Sequence, residues 1–129
     1  MEQQKEEGWK AAKKDTAQQI HGRSKEGEPS LDTLPSALAI QVLPMGLISR
    51  EQVWSKVDKA IREIQASGLP YTVGPFETVV EGPMNQLWEL AAHVHRIVLE
   101  AGAPTVATYI KFWSGKNIGT SEEKTSPYR

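Results

Sequence analysis

"YTVGPFETVVEG", residues 71–82, lies between two helical patterns, and its reading decides the fold. Gly74 and Pro75 make a turn pair. Tyr71, Thr72 and Val73 precede it, and Phe76, Thr78, Val79 and Val80 follow, all residue types that suit a pleated strand. The stretch therefore reads as two short strands folded back on each other. In the returning strand Phe76, Thr78 and Val80 share one face, and Glu77, Val79 and Glu81 share the other. A strand that only fills a core has no need of carboxylates. Glu77 and Glu81 can be a solvated or ion-paired sheet surface, an acid/base pair, metal ligands, or the lining of a pocket.

Working outward, "SREQVWSKVDKAIREIQASG" (49–68) opens with Ser49 and carries Gln52 three residues later, the spacing of a capping box. Val53, Val57, Ala60, Ile61 and Ile64 recur at helical spacing, and Gly68 supplies the stop. "GPMNQLWELAAHVHRIVLEAG" (82–102) places Pro83 near the first helical position and ends at Gly102. Its apolar stripe is Leu87, Leu90, Ala91, Val94, Ile97, Val98 and Ala101. "ALAIQVLP" (37–44) and "TVATYIKFW" (105–113) read as the first and last strands. The order is strand, helix, strand, strand, helix, strand. This is the α+β, ferredoxin-like β-α-β-β-α-β arrangement, with a four-stranded antiparallel sheet and both helices on one face.

Alternation then sorts the side chains. Leu38, Ile40 and Val42 are expected to face the helices, as are Phe76, Thr78, Val80, Val106, Thr108, Ile110 and Phe112. The open face receives Gln41, Leu43, Glu77, Val79, Glu81, Tyr109, Lys111 and Trp113. Apolar and aromatic area with a few converging polar groups suits a small-molecule pocket or a mixed interface. With the first strand lying between the third and the last, Lys111 falls near enough to offset a carboxylate.

Residues 1–35 are rich in Lys, Glu, Gln, Gly and Ser and poor in large apolar residues, which reads as a mobile N-terminal arm. Residues 36–115 form the domain, and 116–129 a polar, loosely held C-terminal tail. The chain has 129 residues, 39% of them hydrophobic and 24% charged, with a formal net charge of -1. That is the composition of one soluble domain, with no electrostatic case for nucleic acid or a membrane surface. No apolar run approaches the roughly 20 residues of a spanning helix. The N-terminus lacks the apolar core of a secretory signal, so a cytoplasmic location is expected. The absence of cysteine removes disulfides, thiolate metal sites and a cysteine nucleophile.

Three blocks, "IQVLPMG", "SGLPYTVGPFETVVEG" and the strand ending in "YIKFW", resemble the small thiamine-binding, YkoF-like family. The likeness spans roughly 37–113, and the arm is extra to it. The resemblance implies a ferredoxin-like fold, symmetric self-association as a dimer or tetramer, and binding without chemistry. The implied ligand is thiamine or its hydroxymethylpyrimidine part, held near a subunit interface. Pro44, Gly74 and Pro75 match the family pattern. The implied ligand-binding residues are Gln41, Tyr71, Thr72, Glu77, Thr78, Glu81 and Lys111. The segment "FWSGKN" after Lys111 departs from a more charged, basic continuation. An aminopyrimidine offers an amine donor and ring-nitrogen acceptors, which carboxylates and hydroxyls can complement, and aromatic faces can stack on its ring.

The same residues offer little for other chemistry. His93 and His95, two apart on a helix, point about 200° away from each other and cannot share a metal. They read as partly exposed helix surface. No phosphate-binding glycine loop or HExxH is present, and Ser49 has no partnering histidine motif. No catalytic residue, metal site or resident cofactor is therefore assigned, and the chain is read as a non-enzyme. The alternative reading is a structural or regulatory protein-interaction module that assembles through its sheet.

Overall fold

The computed structural model describes residues 30–129. Strand β1 spans Pro35–Met45, helix α1 Arg50–Ala66, β2 Tyr71–Val73, β3 Thr78–Pro83, α2 Met84–Glu100, β4 Thr105–Ser114 and a short α3 Ser121–Thr125. The strands form one sheet in the order β2-β3-β1-β4, with every neighbouring pair antiparallel. This is the ferredoxin-like order expected from the sequence.

The hairpin between the two helices forms as read, with a shifted boundary. Gly74 donates its N–H to the Glu77 carbonyl at 2.9 Å, closing the turn. A Cβ on Gly74 would lie 2.8 Å from that same oxygen, so only glycine fits without rearrangement. Phe76 and Glu77 are consumed by the turn, so Phe76, expected to face the helices, is instead exposed, and β3 begins at Thr78, where pairing with Val73 and Ile40 starts.

Leu38, Ile40 and Val80 form one buried cluster with Ala60 and Ile64 of α1 and Leu87, Leu90, Ala91, Val94 and Val98 of α2. Both helices therefore cover the sheet face that carries Leu38, Ile40 and Val80. Phe112 joins from β4, with its ring stacked on Trp88 at a centroid distance of 4.2 Å and an interplanar angle of 1°. Ser49 accepts a hydrogen bond from the Gln52 N–H, as its capping spacing requires.

Three sequence expectations are corrected. Most of the arm expected over 1–35 lies outside the described residues, but 30–35 are part of the fold. Ser30 caps a 3-10 turn at Leu31–Thr33. The Leu34 carbonyl then accepts from Met84 N–H at 3.0 Å, satisfying one of the orphan donors at the start of α2.

The second correction is His93, expected on a partly exposed surface. It is buried between the helices, with Nε2 2.8 Å from Glu63 Oε2 of α1. His95 turns instead to β4, its Nδ1 2.6 Å from Thr108 Oγ1. Two positions apart on one helix thus reach opposite neighbours.

The third is the C-terminal tail. Residues 121–125 are helical, and Thr120 accepts from the Glu123 N–H at 3.1 Å as the cap. The segment is attached to the sheet by polar contacts, which hydrophobic periodicity does not register.

Leu87 is fully buried at the meeting of α2 and the sheet. Leu87→Ala is expected to lower unfolding free energy by about 2–5 kcal/mol in urea titrations. Leu31→Ala, at a site 68% exposed, is expected to change it by about 0.5 kcal/mol or less.

Candidate functional site

The open face of the sheet is built around two small residues. Ala37 and Ala39 sit on the central strand, facing away from the core. Register places Glu81 and Trp113 on either side of Ala37, and Val79 and Lys111 on either side of Ala39. Thr72 continues the second row from the edge strand, paired with Val79. Taller side chains therefore surround a low floor.

The C-terminal segment lies over this floor. The Ser121 N–H, at the start of α3, donates to the Glu81 carboxylate. An anionic acceptor suits a helix N-terminus. Lys124 places its ammonium 3.1 Å from the centroid of the Trp113 ring, a cation–π contact. Between α3 and the sheet remains a cavity of about 390 Å³, with Ala37, Ala39 and Val79 below and Lys124, Thr125 and Arg129 above. That volume lies at the lower end of the range for small-molecule sites.

A second cavity, of about 240 Å³, opens where β1 runs on past the start of β3. It is enclosed by β1, α1 and the 74–77 turn. Gln41, Glu77 and Thr78 line it together with Trp54 and Phe76. Trp54 is 61% exposed and has the Arg50 guanidinium 5.4 Å from its ring centroid.

The seven ligand-binding residues expected from the sequence are thus distributed. Thr72 and Lys111 line the larger cavity; Gln41, Glu77 and Thr78 line the smaller one. Glu81 holds α3. Tyr71 pairs with Val80 and faces the side opposite Thr72, lining neither cavity. The two groups are linked by one ion pair, Lys111 Nζ donating to Glu77 Oε1 at 3.3 Å across the sheet. With the Lys111 side chain 79% exposed and that of Glu77 36%, solvent screens the pair.

Ala37, Ala39, Trp54 and the whole of α3 were not singled out from the sequence as site elements. For α3 a signal was present, because Thr120 is followed three residues later by Glu123, a capping-box spacing.

A family model described as thiamine-binding protein matches residues 38–129, a span that includes the smaller cavity, α3 and all of the larger cavity except Ala37. A UPF0045 protein of Clostridium perfringens is 33% identical over 92 residues, covering 71% of this chain and 95% of that protein. Among solved structures, a domain of unknown function, DUF77, from Bacillus cereus superposes with a TM-score of 0.68 at 32% identity. The match covers 78% of this chain and 96% of that one. A provisional thiamine biosynthesis/salvage protein from Thermotoga maritima gives a TM-score of 0.65 at 27% identity, covering 74% of this chain and 99% of that one.

Glu81→Ala removes the carboxylate that fixes α3. Amide exchange over residues 116–129 is expected to accelerate at least tenfold, with global stability lowered by about 1–2 kcal/mol. Unchanged exchange in that segment would show that the carboxylate does not anchor it.

Proposed function

The chain belongs to the thiamine-binding protein family, and from that membership we propose that it binds thiamine or its hydroxymethylpyrimidine part without reacting with it. The observation that carries the choice of site is the grouping of Gln41, Glu77 and Thr78 in the smaller cavity beside two exposed aromatic rings. Glu77 accepts from the exocyclic amine of an aminopyrimidine. The Gln41 amide donates to a ring nitrogen or accepts a second amine hydrogen, and the Thr78 hydroxyl can do either. Trp54 or Phe76 covers the face of the ring. At about 240 Å³ the cavity suits a single ring, leaving a thiazolium at the mouth, where the Glu77 charge favours a cation.

Binding without catalysis follows the family's description as thiamine-binding. His93 and His95 are held by Glu63 and Thr108, and neither lines the larger or the smaller cavity. Thiamine is cargo in this reading, and no resident cofactor is invoked.

Self-association as a dimer or tetramer is supported by β4. This edge strand is ten residues long and presents Tyr109, Ile110 and Trp113 at 40–58% exposure. An unpaired, apolar edge is a natural pairing surface. The cytoplasmic assignment rests on composition; no helix among the described residues is long and apolar enough to cross a membrane.

The test is calorimetric titration of the full chain with thiamine and with hydroxymethylpyrimidine, at an oligomer mass fixed by light scattering. Glu77→Gln, which removes the charge but keeps an acceptor, and Gln41→Ala, which removes a hydrogen bond, are each expected to weaken binding about tenfold or more. No heat at millimolar ligand from folded protein overturns the reading. Should a stable protein partner then be captured instead, the interaction-module alternative takes its place.

A further inference from the structure

We propose that the larger cavity, between α3 and the alanine floor of the sheet, is a second binding site, built for a small aromatic anion. Its ligand joins a flat apolar body to a phosphate or carboxylate. The inference stands apart from the thiamine reading, since it uses a different cavity and the opposite charge.

The first observation is the make-up of the space. Its floor and one wall are Ala37, Ala39, Val79 and the Trp113 ring, an apolar surface. The roof cannot fill it. Helix α3 reads SEEKT, contains no apolar residue larger than a threonine methyl, and buries none of its residues. Apolar area left under a polar roof stays wet unless something covers it, at roughly 25 cal/mol per Å². A ligand ring gains what the protein's own side chains do not supply.

The second observation is charge. Three charged residues line the cavity, Lys111, Lys124 and Arg129, and all are cations. Carboxylates beside the cavity offset two of these cations and leave Lys124 as the uncompensated one. Glu81 accepts from the Ser121 N–H, Glu77 pairs with Lys111, and Glu122 pairs with Arg129 at 2.9 Å. Lys124 has no carboxylate partner among the described residues. Its ammonium is held by the Trp113 ring face alone, at the boundary between apolar floor and cationic roof. An anion set there meets Lys124 directly while its ring lies against the floor. The hydroxyls of Thr72 and Ser121 add neutral donors. A cationic ring such as a thiazolium is disfavoured in the same place, so the two cavities sort ligands by charge.

The test titrates the full chain with phenyl phosphate, benzoate, inorganic phosphate and benzyl alcohol, read by calorimetry and by Trp fluorescence. The two aromatic anions are expected to bind, with inorganic phosphate and benzyl alcohol each at least tenfold weaker than the tighter of them. The order of phenyl phosphate and benzoate identifies which anionic group is preferred. Ala39→Leu, which fills the floor, and Lys124→Gln, which removes the unpaired cation, are each expected to weaken that binding at least tenfold. Circular dichroism confirms the fold; should Ala39→Leu not fold, Lys124→Gln at an exposed position carries the test. Absence of binding by both aromatic anions at millimolar concentration overturns the proposal. So does affinity unchanged by Lys124→Gln.

Discussion

The register of β1 between β3 and β4 is the constraint on which both halves of the molecule depend. Leu38 pairs with Val80 and Phe112, and Ile40 with Thr78 and Ile110, so the inward set is fixed from both sides at once. A slip of one residue would exchange the faces. Ala37 and Ala39 would then meet the helices, leaving voids where Leu38 and Ile40 stood, and the two large side chains would fill the open face. The core and the larger cavity are therefore two results of one pairing. Leu-Ala alternation on a central strand packs one side tightly and leaves the other hollow.

Much of this was legible in the chain. Helical spacing in 49–68 and 82–102, and period-two alternation in the strands, express which faces lose water, and burial is what dominates the fold. Glycine at 74 reads as a turn because a backbone oxygen stands where a Cβ would go. The closeness of Lys111 to Glu77 also followed, since strand order brings them to one side of the sheet. Other features were not legible, for a common reason. Glu81 meets the Ser121 amide 40 residues away, and His93 meets Glu63 30 residues away. Polar contacts between distant segments leave no periodic trace, because each partner in isolation looks like ordinary surface. Tyr71 and Thr72 show the remaining limit. Adjacent strand residues cannot both face the same side, so matching motif positions by type spreads them over two environments.

The two cavities, one under α1 and one on the open face, divide charge between them. Carboxylate and amide gather in the smaller cavity, beside the 74–77 turn, while the charged residues lining the larger cavity are Lys111, Lys124 and Arg129. The Lys111–Glu77 contact lies between the two and belongs partly to each. Because both members are solvated, separating them costs little, and either can turn to a neighbour of opposite sign. A buried pair in that position would have been committed to itself.

The way α3 is attached sets how the larger cavity responds to its surroundings. The helix adds nothing to the hydrophobic core; its links to the sheet are one carboxylate contact and one cation over a ring. Such a segment opens without the domain unfolding, so the cavity exists only in the closed fraction of molecules. Any ligand there binds with its intrinsic affinity scaled by that fraction. Dissolved salt screens the Glu81 and Lys124 contacts and the ligand's own charge together, over a length of about 8 Å at physiological ionic strength. Occupancy of this cavity therefore falls with ionic strength more steeply than a simple ion contact would, whereas the core under the other face does not register the change.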